Sequence, residues 1–315
     1  FFLHPHPANP DPLWSRGLGD VYKRQAYVGL MSKGLVEFRT NNEKDYLQKG
    51  EDYKKNSYKT LEEAHRTVSR FFSVNLNNAF VVNNFSSGIR HVIRFLPKKL
   101  KVLLIDIDYP SLISAFEEED FLIHKVPMLD IGLEDQIDDY ISKNQIDILA
   151  LSIVQYSTGL LIDINFLESL KLKHPNLILI GDGTQFLGAH KFSFDSSPFD
   201  VLAASGYKWL LAGFGNGILM ISKSYLDLIK KEASVIRDII FKGHFNILAT
   251  ASLNFAIQSL EKQGFENLMN QKAVGHPGSC LLYTSPSPRD QRGSRVAAYG
   301  LKKKGGGGGG GGGGG

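Results

Sequence analysis

The chain has 315 residues, 36 Lys+Arg against 32 Asp+Glu, a formal net charge of +4 and a sequence pI of about 8.9. That basic excess sits in the ends: residues 26–275 carry 27 Lys+Arg against 29 Asp+Glu, a net of −2, so composition gives no support to nucleic-acid binding or attachment to a membrane surface. The single cysteine, Cys280, also lies in the C-terminal end, which excludes disulfides and thiolate metal sites from the core. No apolar run approaches the roughly 18 residues that a membrane span needs, and no signal peptide precedes residue 26, so the expected compartment is the cytoplasm.

Residues 1–25 carry four prolines and no usable periodicity, and residues 276–315 end in an unbroken run from Gly305 to Gly315. Both ends resemble translated sequencing-adapter sequence, and the glycine run resembles a homopolymer artefact. The other reading is a natural disordered tail or linker. On either reading they are no guide to the fold, and the remaining 250 or so residues suffice for one large α/β domain.

In chain order, residues 27–75 are charge-rich and read as helical, most clearly from Leu61 to Phe72. Strands are expected at Ala79–Val82, Lys101–Ile107, Ile146–Ile153, Leu177–Ile180, Val201–Ala204 and Gly217–Ile221. Helices are expected at Gly88–Leu96, Ser111–Glu119, Leu133–Lys143 and Phe166–His174, with a last helical pattern from Phe245 to Asn267. Short apolar runs alternating with amphipathic ones imply a mostly parallel sheet flanked by helices, an α/β fold. Ligands of such sheets bind outside the carboxyl ends of the strands.

The chemistry-bearing residues fall at those ends. Asn83-Asn84-Phe85-Ser86-Ser87-Gly88-Ile89 follows the first strand, and small hydroxyl residues with a glycine opening a helix can seat a phosphate on free N–H groups; an N-cap serine without a ligand reads equally from the same residues. Tyr109, after the second strand, offers a ring to stack on a flat cofactor. Gln155 or Tyr156 ends a third strand and could bond a phenolic oxygen, with Gly159 marking the turn. Asp182 directly follows Leu177-Ile178-Leu179-Ile180-Gly181, where an unpaired carboxylate is costly. Gln185 lies one helical turn further. Lys208 closes the next apolar run in Ser205-Gly206-Tyr207-Lys208-Trp209, and lysine is rarely buried. An amine and a carboxylate on neighbouring strand ends suit pyridoxal 5'-phosphate (PLP), which needs a Schiff-base amine and an anion opposite its ring nitrogen.

Taken in this order, the motifs resemble fold-type I PLP enzymes, specifically the class V aminotransferase-like family of cysteine desulfurases, kynureninases and serine-type aminotransferases. The resemblance covers roughly residues 60–270, and its specific part is DGTQFLGAHKFSF followed by DVLAASGYKWLLAGFGNG. It implies a PLP-binding large domain over 26–242 and a truncated C-terminal region beginning at 243–275. It implies further that Lys208 carries the Schiff base and moves the α-proton, that Asp182 keeps the ring nitrogen charged, that Gln185 bonds the ring oxygen and that Tyr109 stacks. Ser87, Gly88, Ile89 and Ser205 would hold the phosphate.

Three positions depart from the family pattern. Tyr207 stands where desulfurases usually have histidine, which places the chain nearer the kynureninase-like and epimerase-like side. Ile89 and Arg90 replace a small residue and a threonine, leaving the phosphate seat to backbone N–H groups. Phe241-Lys242-Gly243-His244 stands where the family often has Arg-Ser-Gly-Thr in a loop that reaches the neighbouring subunit's phosphate, so His244 would serve there or be a plain surface histidine. The family's habit implies a homodimer acting on a small amino acid, with no metal. The leading expectation is an aminotransferase. The alternatives are a cysteine desulfurase or kynureninase-like lyase, a PLP-binding regulatory module, and a chain left inactive by truncation.

Overall fold

The structure, a computed structural model, describes residues 28–264 apart from position 130. The two ends set aside above, and the last residues of the helical pattern expected to run to Asn267, lie outside the described residues. Strands β1 (Ala79–Val82), β2 (Lys101–Ile105), β3 (Leu122–Val126), β4 (Ile148–Ser152), β5 (Ile178–Asp182), β6 (Val201–Ser205) and β7 (Gly217–Ile221) form one sheet in the order β1-β7-β6-β5-β4-β2-β3. From β3 to β6 every neighbouring pair is parallel, and β7 runs antiparallel to both β6 and β1. Every residue of β4 to β7 is buried, as a sheet covered on both faces requires.

The helices are α1 (Lys33–Lys49), α2 (Glu51–Phe72), α3 (Phe85–Ile93), α4 (Pro110–Glu117), α5 (Leu133–Asn144), α6 (Ile164–Lys173), α7 (Lys223–Ile229), α8 (Ala233–Ile240) and α9 (Ile247–Lys262). Successive strand residues point to opposite faces, so the sheet divides the core in two. Leu103, Leu149, Leu151, Leu179 and Leu202 pack with Val68 of α2, Ile137 of α5, Leu167 of α6 and Ile257 of α9. Val102, Ile148, Ile180 and Val201 pack with Val92 of α3, Phe116 of α4, Tyr225 of α7 and Ile236 of α8. This is the expected α/β fold, a mostly parallel sheet between helical layers.

Three departures from the sequence-based expectation have local causes. β3 was not anticipated, because an edge strand is covered on one side and Leu122-Ile123-His124-Lys125-Val126 is accordingly mixed, with Leu122 and Lys125 exposed. α7 and α8 were also missed; each is only two turns long. α3 starts at Phe85, three residues before Gly88, because Asn84 caps it: Ser87 N–H donates to Asn84 Oδ1 at 2.8 Å, and Asn84 N–H donates to Ser87 Oγ at 3.3 Å.

At the amino-terminal end of β6, Asp200 fixes the strand against β5. Its Oδ2 accepts from Leu179 N–H at 2.9 Å and from Lys171 Nζ at 2.5 Å, and its Oδ1 accepts from Ser224 Oγ at 2.6 Å. A buried carboxylate with this many donors sets the β5–β6 register, which places Asp182 opposite Ala203.

The segment before α1 is not helical. It lies against the turn that follows β6, where Gly29 N–H donates to Tyr207 O at 2.9 Å. A Cβ on Gly29 would stand 2.0 Å from Lys208 O and 2.8 Å from Leu211 Cδ2, so only glycine lets the two backbones approach this closely. Gly29→Ala is expected to lower stability by about 1–3 kcal/mol, the usual range for overpacking, as measured by denaturant unfolding.

Candidate active site

Seven of the residues singled out in the sequence converge on one cleft at the carboxyl ends of β4, β5 and β6: Tyr109, Tyr156, Asp182, Gln185, Ser205, Tyr207 and Lys208. Asp182 is the last residue of β5, paired with Ser152 of β4 and Ala203 of β6, and 4% of its surface is exposed. Its Oδ1 accepts from Thr184 N–H at 2.8 Å, and the Thr184 side chain also donates to it. Burial pushes the carboxyl up to about 7, and the Asp108 charge adds to that push, together overcoming the two Thr184 bonds and the attraction of Lys208. Lys208 stands in the turn after β6. Burial brings its ammonium down to about 8, against the pull of Asp182. Two ionisable groups 26 positions apart in sequence therefore face one cleft and feel each other's charge.

Other side chains fix this pair. Thr184 Oγ1 accepts from Ser205 N–H at 3.1 Å, tying the end of β5 to the end of β6. Asn216 closes the lysine turn: its carbonyl accepts from Gly206 N–H at 3.0 Å, and its Nδ2 donates to Ala212 O at 3.1 Å and Gly213 O at 3.3 Å. A Cβ on Gly206 would stand 2.0 Å from Asn216 Oδ1, so the turn requires glycine there. Gln185 Oε1 accepts from Trp209 Nε1 at 3.0 Å, which sets the orientation of the amide. Tyr207 packs against Phe214, with ring centroids 4.9 Å apart. Tyr109 meets Tyr156 edge-on at 5.6 Å and Phe85 at 6.1 Å.

The residues expected to seat a phosphate are placed differently. With α3 starting at Phe85, the Ser87 N–H and hydroxyl are used in the cap, the Gly88 N–H donates to Asn84 O at 3.1 Å, and Gly88 and Ile89 are buried within the helix. None of the three lines the cleft. The first-turn amides belong instead to Phe85 and Ser86, and Phe85 N–H donates to Ser205 Oγ at 3.0 Å. Accepting that bond leaves the Ser205 hydroxyl proton to donate elsewhere. Gln155 is buried outside the cleft, where its Nε2 donates to Ser152 O at 2.8 Å and Asp108 Oδ2 at 3.2 Å. Tyr156, the other candidate for that role, lines the cleft and is 39% exposed. His244 is exposed in the turn between α8 and α9 and does not line it.

Thr184, Asn216 and Ser86 were assigned no role from sequence. Thr184 had a legible signal, since an Asp-x-Thr step after a strand forms a local side-chain turn. Asn216 had none: Ala212 and Gly213 lie within four residues of it, but only the β6–β7 pairing brings Gly206 to its carbonyl. Among the described residues, no helix is long and apolar enough to cross a membrane, and no His/Cys/Asp/Glu group could hold a metal ion.

No curated protein sequence matches the chain. Its fold is shared with solved structures at low identity. A mutant of C-DES carrying glycine covalently linked to the PLP cofactor superposes with a TM-score of 0.71 at 17% identity, over 81% of this chain and 75% of that one. An apo cysteine desulfurase from Thermococcus onnurineus NA1 gives 0.65 at 16% identity, over 81% and 70%. A ureidoglycine-glyoxylate aminotransferase from Bacillus subtilis gives 0.59 at 15% identity, over 68% and 60%. The sequence itself matches the Aminotransferase class-V family over residues 32–274, most of the chain, and with that the protein belongs to the class V aminotransferases, a family of PLP-dependent enzymes.

Proposed function

We propose that this cleft binds PLP through Lys208 and Asp182 and that the protein is an aminotransferase acting at the Cα of a small amino acid. The observation that carries the reading is the pairing of a buried carboxylate and a half-buried amine, with opposite shifts, at neighbouring strand ends. A carboxylate pushed up to about 7 by burial lacks sufficient positive charge around it, and a pyridinium nitrogen supplies that charge. An amine brought down to about 8 is substantially unprotonated just above neutral pH and can attack a carbonyl carbon.

The remaining cleft residues fit the other parts of the cofactor. Ser205, whose Oγ already accepts from Phe85 N–H, offers its hydroxyl proton to a phosphate, and the dipole of α3 behind it favours the negative charge. Tyr109 offers an aromatic face, and Gln185 an amide whose carbonyl end is already engaged by Trp209. When bound, PLP supplies an electron sink for charge developing at the substrate Cα. Lys208 then holds and returns the proton at that carbon as a general base and acid. Asp182 keeps the opposing positive charge in place, and Thr184 fixes its carboxylate.

Four outcomes test this. Protein incubated with PLP should turn yellow, and borohydride should fix a pyridoxyl phosphate group on Lys208 by mass spectrometry; Lys208→Ala should abolish both. Asp182→Asn should weaken PLP binding by about 3–5 kcal/mol, the cost of breaking a buried charge pair, read from equilibrium titration. In the protein without PLP, labelling of Lys208 by an amine-directed reagent should rise with pH through about 8, far below the value of 10.5 for an ordinary lysine. Incubation with amino acids and 2-oxo acids should exchange the amino group, whereas release of sulfide from cysteine or cystine would instead establish a lyase.

A further inference from the structure

The loop after β2 contains a second buried carboxylate that does not line the cleft. Asp108 is 1% exposed and forms no ion pair among the described residues. Its Oδ1 accepts from Tyr109 N–H at 2.6 Å, and its Oδ2 accepts from Ser152 N–H at 2.8 Å and from Gln155 Nε2 at 3.2 Å. Gln155 closes the ring of contacts by donating to Ser152 O at 2.8 Å. Three N–H donors make a buried anion tolerable without a cation, because hydrogen bonds to a charged acceptor are stronger than neutral ones.

The placement of these donors gives Asp108 its meaning. Tyr109 begins α4 and lines one side of the cleft, while Ser152 ends β4 and pairs directly with Asp182. One carboxylate therefore spans from the aromatic wall to the strand beside the ring-binding acid. We propose that Asp108 is a positioning residue of this site: a fixed buried anion that clamps Tyr109 and β4 across the cleft and sets how tightly Asp182 holds positive charge. The inference rests on the PLP reading for its function but not for its test. The charged groups acting on Asp182 are Lys208, which favours its ionised form, and Asp108, which opposes it. Two carboxylates in a shared low-dielectric region raise the affinity of one of them for a proton or a cation.

The test follows the Asp182 carboxyl by carbon NMR in protein labelled at aspartate, without PLP, with Asp182→Asn identifying the signal. Asp108→Asn should lower the proton affinity of Asp182 by roughly tenfold, about one pH unit, and in the presence of PLP should weaken binding while leaving Lys208 able to attach it. An unchanged Asp182 titration in folded Asp108→Asn protein would overturn the proposal. Should that variant not fold, Gln155→Leu removes one donor and leaves the charge. The Asp182 midpoint should then move upward, and an unmoved midpoint overturns the proposal equally. Failure of the unmodified protein to bind PLP would refute the cofactor reading instead, since the titration is read without it.

Discussion

Burying a carboxylate and an amine at the ends of two adjacent strands is the constraint on which this structure turns. Asp182 closes a strand whose every residue is buried, and its ionised form is costly there. Two donations from Thr184 and the nearby Lys208 offset part of that cost, yet burial still wins and leaves the group short of positive charge. Lys208 suffers the converse. A pair left in this condition is poised for a ligand that is cationic at one end and electrophilic at the other.

Keeping the pair in place engages a ring of residues around it. Asp200 pins the amino-terminal end of β6 against β5, and Thr184 ties their carboxyl ends together. Asn216 and Gly206 shape the turn that presents Lys208, and Gly29 lets the preceding chain lie on its backbone. Asp108 braces the other wall through Tyr109 and Ser152. The two ends of the sheet differ in how fully their polar groups are satisfied. The Asp200 carboxylate has every oxygen bonded, whereas Ser152 Oγ, Gln155 Oε1 and Asn216 Oδ1, near the carboxyl ends, are buried without a protein partner.

Much of this was legible in the residues. β4 to β7 are continuous apolar runs because a parallel sheet covered on both faces has no solvent side, and their ends could be read to within two residues. Asp182 and Lys208 stood out because a charged residue closing so apolar a run needs a reason. The helix after β1 was read as starting three residues late: Gly88 suggested its start, whereas Asn84 with Ser87 forms the cap and Phe85 opens it. Gln155 was drawn to the cleft by its position after β4, but Asp108 holds it outside.

The sequence by itself determined the alternation of elements, the burial of both sheet faces and the identity of the acid that closes β5 and of the lysine just beyond β6. Those are properties of neighbouring residues, and period and polarity record them. Tertiary structure alone decided that Asp182 and Lys208 share a cleft, that Gly29 meets the Lys208 carbonyl 179 positions further along the chain, and that Asp108 joins two walls of the site. Each of these depends on strand order and on close approaches between segments distant in the chain, and one-dimensional spacing carries no record of which strand ends become neighbours.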